Sequence, residues 1–281
     1  MLDLGPASSY RTLMSDFEKT FDGEEPVRVN KWLAQSGVCS RREAEGLITS
    51  GTVFIDGEKV EDAGRKILPG QTLTLNRKGA ETLSSKRTIM LNKPVGFVSA
   101  TPEEDQIPAI RLLTNENRVG KGAPVRGNDS LAPVGRLDMD SRGLLILSDD
   151  GTVAKGVIGP DADLEKEYIV RIRGKITGKK MALLREGLEL DGRKLKPARV
   201  TGIADQTLRF VLREGRNRQI RRMCDLVELR VIDLVRVRIG ALKLGGLKEG
   251  CWKELRSHEI EALLRNPSLE ELRGKGPENK R

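Results

Sequence analysis

Two carboxylates, Asp138 and Asp140, stand in the segment Pro133-Val-Gly-Arg-Leu-Asp-Met-Asp-Ser-Arg-Gly-Leu-Leu-Ile-Leu147, just ahead of an apolar run with the character of a strand. A loop-borne aspartate beside a strand can act as a nucleophile or as a general base. The same Asp-x-Asp spacing can also hold a divalent ion or cap a turn. Tyr168 is one of only two tyrosines and opens the alternating run Tyr168-Ile-Val-Arg-Ile172, where a core position is the ordinary expectation. From Arg213 to Arg222 the chain carries five arginines against one acid, Glu214, a density that favours RNA phosphates over a merely solvated helix face. Arg218, Arg221 and Arg222 are the expected phosphate contacts.

Other chemistries are poorly provided for. With one histidine, His258, and three scattered cysteines, Cys39, Cys224 and Cys251, none in CxxC spacing, neither a zinc site nor a disulfide is expected. There is no glycine-rich phosphate loop and no regular βαβ rhythm, so no cofactor is expected. The balance of 50 Lys+Arg against 41 Asp+Glu, net +9, calls for a polyanionic partner, by default nucleic acid. Met1 to Thr20 contains acids and no continuous apolar core, which predicts neither signal peptide nor membrane anchor and a cytoplasmic protein.

The elements that must position these groups read as an α+β plan. Ile89–Asn92, Leu144–Leu147, Tyr168–Ile172, Leu208–Leu212 and Val231–Ile239 are β-rich; Thr152–Ile158, Lys179–Glu186, Arg218–Leu226 and His258–Leu264 are helical. Ahead of them, residues 27–79 form a smaller module. Val29, Trp32 and Leu33 share one helical face, Ser40 and Glu43 have capping-box spacing before a second helix, and Asp56-Gly57 marks a hairpin. Arg41 and Arg42 in the first turn of that helix oppose its dipole, a penalty that a bound phosphate reverses, and Lys31 lies on the helix before it. Residues 1–26 are expected as an acidic flexible tail, 80–87 as a linker, 88–264 as the second domain and 265–281 as a polar flexible tail.

The stretch from Val27 to Leu75, with Ser-Arg-Arg-Glu-Ala before a Gly-x-Val strand, resembles the S4 RNA-binding module. The Gly-Arg-Leu-Asp-x-Asp-Ser-x-Gly-Leu-Leu segment resembles the active-site signature of the pseudouridine synthases of the RsuA, RluB, RluE and RluF group. Leu91-Asn-Lys-Pro-Val-Gly96, Glu165-Lys-Glu-Tyr168 and Glu214-Gly-Arg-Asn-Arg-Gln-Ile-Arg-Arg-Met223 match it in the same order, so the likeness runs from about Val27 to about Leu264.

The resemblance implies an S4 domain followed by a catalytic domain with a mixed, mainly antiparallel sheet flanked by helices. It also implies isomerisation of uridine to pseudouridine without a cofactor. It makes Asp138 the catalytic carboxylate, nucleophile or base, and Tyr168 the ring against the target uracil. Arg216, the first arginine of its motif, becomes the cation beside Asp138, with Ile220 an apolar wall and Arg136 the filler of the gap left by a flipped-out nucleotide. Lys93, which begins a tight turn, is a contact to RNA or to the active-site loops, and Asp140 holds the turn. The implied partner is ribosomal RNA or a ribosome-assembly intermediate. The Glu-Lys-Glu-Tyr and Asn-Arg-Gln-Ile-Arg-Arg-Met-Cys runs favour 23S RNA over 16S or transfer RNA, and the chain is taken as a monomer. The rivals are a non-catalytic S4-type RNA-binding protein and a metal-dependent transferase or nuclease using Asp138 and Asp140.

Overall fold

The computed structural model, which describes residues 14–99, 102–126, 129–268 and 271, contains the predicted capping box. Ser40 Oγ accepts from the Glu43 amide at 3.3 Å, and Glu43 Oε2 accepts from the Ser40 amide at 2.6 Å. The chain divides into two units: one runs to Arg87 and includes Asp150–Lys155, and the other comprises Thr88–Asp149 and the chain from Gly156.

In unit one, strands β1 (Met14–Thr20), β2 (Val27–Arg28), β3 (Val53–Ile55), β4 (Glu58–Lys59), β5 (Lys66–Ile67) and β6 (Thr72–Asn76) accompany helices α1 (Val29–Gln35), α2 (Arg41–Thr49) and α3 (Arg77–Ser84). An antiparallel sheet in the order β1-β6-β3-β4 and the β2-β5 pair cover the two helical faces read from the sequence. Val29, Trp32 and Leu33 meet Ala44, Leu47 and Ile48 over Val53, Ile55, Leu73 and Leu75. Each of the Val, Leu and Ile side chains among them contributes about 1.5–3 kcal/mol by leaving water. Asp56 and Gly57 both adopt positive φ, 48° and 86°, the conformation of a type I′ hairpin turn.

Two expected boundaries shift. Within the stretch 1–26, expected as a flexible tail, β1 pairs with β6, and Phe21 is buried edge-on against Trp32 with ring centroids 5.5 Å apart. Its acids Glu18, Asp22, Glu24 and Glu25 are exposed while Phe17 and Phe21 pack inward, so composition alone blends two opposite faces. Residues 1–13 of that stretch lie outside the described residues. The expected linker 80–87 is helical through Ser84, because Asn76 Oδ1 caps the Gly79 amide at 3.0 Å and starts α3 earlier.

Unit two holds β7 (Thr88–Lys93), β8 (Phe97–Val98), β9 (Ile107–Pro108), β10 (Ala132–Val134), β11 (Arg142–Ser148), β12 (Lys166–Arg173), β13 (Glu189–Leu190), β14 (Arg193–Lys194), β15 (Arg199–Ala204), β16 (Thr207–Leu212), β17 (Arg230–Ile239), β18 (Leu242–Lys243) and β19 (Trp252–Glu254). Its helices follow α4 (Gly151–Ile158), whose residues from Gly156 belong here: α5 (Gly178–Glu186), α6 (Gln219–Leu226) and α7 (Ser257–Leu263). The main sheet runs β15-β16-β12-β17-β11-β7-β19, with β10 beside β11 and β18 beside β17. Its pairs are antiparallel except β11 with β17. This is the mixed, mainly antiparallel sheet that the resemblance implies. Ile220, Met223 and Cys224 of α6 and Leu184 of α5 pack into the core of Val170, Leu208 and Phe210.

The boundary at Leu264 also moves. Asn266, expected in a flexible tail, accepts from the Glu165 amide at 2.8 Å and donates to the Asp163 carbonyl at 2.9 Å, closing the segment that leads into β12.

Candidate active site

The loop from Arg136 to Asp140 is held residue by residue. The Arg136 carbonyl accepts from Arg236 Nη1 at 3.3 Å. Ser99 Oγ takes both polar groups of Leu137, accepting from its amide at 2.9 Å and donating to its carbonyl at 2.8 Å. The Asp138 carbonyl accepts from the Ser141 amide at 3.0 Å, the Met139 carbonyl from the Gly96 amide at 2.8 Å, and the Asp140 carbonyl from Arg221 Nη2 at 2.7 Å. These bonds fix the backbone on both sides of Asp138, whose side chain stays partly exposed. Gly143, just beyond, lies at φ +107°, and a Cβ there would fall 2.3 Å from the Arg236 carbonyl, so the parallel β11–β17 approach admits only glycine.

Asp138 lines a cavity of about 660 Å³ together with Tyr168, Ile220, Leu234, Lys166 and Arg236. The register explains this gathering: Tyr168 pairs with Phe210 on β16 and, past a bulge, with Arg236 on β17, and residues opposite one another share a face. Tyr168 is 9 % exposed and Ile220 4 %, so a ring and an apolar wall stand inside one concavity. Arg136 is exposed at its rim.

The cation facing Asp138 is Arg218, with Nη1 4.0 Å from Asp138 Oδ2. This corrects the expectation for Arg216, whose guanidinium is spent on the β13–β14 hairpin: Nη1 donates to the carbonyls of Leu190 at 2.9 Å and Arg193 at 3.1 Å, and Nη2 to that of Lys194 at 2.9 Å. Arg218 precedes α6 in the left-handed region, φ 49°, a conformation a non-glycine residue adopts at a cost. Its side chain and that of Arg221 converge on Asp140, with Arg221 Nε 3.3 Å from Oδ2. Burial raises the Asp140 carboxyl, but the Arg218 hydrogen bonds and the charges of Arg221 and Arg218 outweigh it and hold the group below the ordinary aspartate value. Arg222 makes a two-pronged bond to Asp191, at 2.9 and 2.6 Å. Of the expected phosphate contacts, all three guanidinium groups are thus engaged with carboxylates, and Arg221 is largely buried.

Lys93, expected as a contact to RNA or to the active-site loops, has no exposed surface. Its Nζ donates to the carbonyls of Pro94 and Phe97, each at 2.8 Å, which closes the turn whose Gly96 amide holds Met139. The ammonium is thus engaged inside its own turn, on the side of the active-site loop. Burial pushes the Lys93 ammonium down to about 8, against the pull of the Asp138 and Asp140 charges.

Lys31, Arg41 and Arg42 belong to unit one, where all three are exposed. Two residues of the site carried no signal in the sequence, Ser99, thirty-eight positions from Leu137, and Arg236, inside an alternating strand; Lys166 lay within the Glu165-Lys-Glu-Tyr168 motif, which assigned it no role. Among the described residues, no group of three or more His, Cys, Asp or Glu side chains is arranged to hold a metal ion.

Two family models match the chain, S4 domain over residues 27–73 and RNA pseudouridylate synthase over residues 87–226. It is similar to the dual-specificity RNA pseudouridine synthase RluF of Escherichia coli (strain K12), 33 % identical over 86 % of this chain and 80 % of that one. It is also similar to a Mycobacterium bovis protein named as an uncharacterized RNA pseudouridine synthase, 36 % identical over 88 % of this chain and 98 % of that one. A crystal structure of a pseudouridylate synthase matches 84 % of this chain and 99 % of its own with a TM-score of 0.58 and 26 % identity. Agreement over nearly the whole length of such relatives, with a locked carboxylate loop where the signature predicts one, means that this chain belongs to the S4-bearing RNA pseudouridine synthases of the RsuA, RluB and RluF group and isomerises uridine in RNA.

Proposed function

We propose that the chain converts one uridine of large-subunit ribosomal RNA to pseudouridine, with Asp138 as the reacting carboxylate. The observation that carries this reading is the single cavity lined by Asp138 and Tyr168, with the loop around Asp138 fixed by hydrogen bonds on either side. A flipped-out uridine enters with its ribose toward Asp138 and its base against Tyr168, where stacking contributes about 1–3 kcal/mol. Asp138 attacks C1′ or takes a ribose proton, the C1′–N1 bond breaks, the base turns against Tyr168 and Ile220, and C5 joins C1′. The proton lost from C5 is matched by one gained at N1, so the reaction balances without oxidant or energy source.

Arg218 serves as the counter-charge to Asp138 and Asp140. Arg136, at the rim, fills the space the flipped nucleotide leaves. Lys31, Arg41 and Arg42 supply phosphate contacts from the S4 domain. Because both Asp140 oxygens are held by Arg218, the aspartate pair is suited to a guanidinium rather than to a divalent ion.

Carbodiimide mapping of pseudouridine on 23S, 16S and transfer RNA, each incubated with the protein in excess EDTA after folding, tests the reading. One new stop in 23S RNA is expected. A stop only in 16S or transfer RNA would reassign the substrate, and an absolute metal requirement for chemistry would contradict the mechanism.

A further inference from the structure

Lys166 and Arg236 form a pair of cations on the cavity wall that the steps above leave unused. They flank Tyr168: Arg236 is its partner across the β12–β17 pair, and Lys166 lies two residues along β12 on the same face. Arg236 is 3 % exposed and donates to two carbonyls, Leu144 at 2.8 Å and Arg136 at 3.3 Å, while its Nη2 is buried without a hydrogen-bond partner. Lys166 Nζ makes one long contact, 3.4 Å to the Leu164 carbonyl. Among the described residues neither cation has a carboxylate within ion-pair distance. Burial, then the neighbouring Arg236 charge, lowers the Lys166 ammonium from its ordinary value. A buried and a half-buried cation beside one cavity, with only the distant Asp163 charge offsetting Lys166 and no acid paired to either, are costly in the empty protein. They repay that cost when negative charge arrives between them.

We propose that Lys166 and Arg236 face the uracil ring and stabilise the negative charge that develops on it as the C1′–N1 bond breaks. When the bond breaks, its electron pair stays on the base, giving a uracilate whose charge spreads over N1, O2 and O4, and C1′ is left to Asp138. When C5 joins C1′ the ring gives up its charge and its C5 proton is lost, so the cations act only while the base is detached. A contact that strengthens during cleavage lowers the barrier without tightening substrate binding. The proposal rests on the uridine-isomerising reading of the cavity.

The test compares wild type, Lys166→Met and Lys166→Arg in single turnover at saturating RNA, on uridine and on 5-fluorouridine transcripts of the mapped site; nucleoside analysis reads pseudouridine formed from the first and 5-fluorouridine consumed from the second, whose C5 can join C1′ but has no proton to lose. Lys166 is the cleaner position, because Arg236 also holds the two carbonyls. Lys166→Met is expected to slow uridine conversion about 100-fold with unchanged RNA affinity, and Lys166→Arg to recover most of the rate. Fluorine withdraws electrons and stabilises the uracilate by itself, so on 5-fluorouridine the deficit is expected to shrink to about tenfold.

An equal deficit on both substrates with weakened affinity would make Lys166 a phosphate contact and overturn the proposal. So would a Lys166→Met rate equal to wild type. Should Lys166→Met unfold, Lys166→Gln is run in its place against the same outcomes. Absence of conversion by wild type would remove the underlying reading instead.

Discussion

Arg218 grips Asp140 with two hydrogen bonds, Nη1 to Oδ1 at 3.1 Å and Nη2 to Oδ2 at 2.8 Å, and from that position its Nη1 stands 4.0 Å from Asp138. Asp140 therefore aims the charge that faces Asp138. Arg218→Ala is expected to lower the single-turnover rate at saturating RNA about 100-fold. Arg216→Ala, which leaves three hairpin carbonyls without their donor, is expected to act mainly on stability, by about 2–3 kcal/mol. Turnover and urea unfolding of both variants separate these roles, and the reverse pattern would return the catalytic part to Arg216.

Ser99 is the buried hydroxyl on which Leu137 is hung. Ser99→Ala leaves a buried amide and carbonyl unpaired, at a cost of about 1–3 kcal/mol, and frees the residue next to Asp138. The expected result is a kcat about tenfold lower with KM nearly unchanged. An undiminished kcat in the folded variant would mean that the other contacts suffice to set the loop.

The buried Lys93 gives a pH signature. Its ammonium lies at about 8 in the folded chain against an ordinary 10.5. Below the lower value both states carry the proton, and the full cost of burying the charge is present. Between the two values the unfolded chain holds more protons, so this group makes the unfolding free energy climb with pH. Urea unfolding from pH 8 to 10 is expected to show this rise in wild type relative to Lys93→Met. Parallel curves for the two proteins would contradict it.

In the S4 domain, Arg41→Ala combined with Arg42→Ala is expected to weaken RNA binding and flatten its salt dependence by about two counterions. The rate at saturating RNA should be mostly preserved. A collapsed saturated rate would show that this domain positions the substrate as well as holding it.

Much of this arrangement was legible because it is local. The capping box of Ser40 and Glu43, the Asp56-Gly57 turn and the alternation of β12 are written in neighbouring residues, and so is the Gly-Arg-Leu-Asp loop. What spacing could not tell was which arginine of a dense run would turn toward Asp138. The left-handed backbone of Arg218 and the carbonyls of the β13–β14 hairpin decide that. Ser99 and Arg236 were invisible for a related reason: each reaches the loop from a distant stretch by a side-chain bond to backbone, which selects no motif around either partner. The acid-rich N-terminal stretch misled because its exposed face outweighs Phe17 and Phe21 in composition, though those two make the contact that orders it.

The central claim is that the Asp138 carboxylate performs the reaction, and the most direct measurement is carbodiimide mapping of the target RNA after incubation with wild type and with Asp138→Asn. Asn keeps the size and removes the charge. Wild type is expected to give one new stop, and Asp138→Asn, folded and binding RNA with wild-type affinity, to give none. A stop of wild-type intensity from Asp138→Asn would contradict the account.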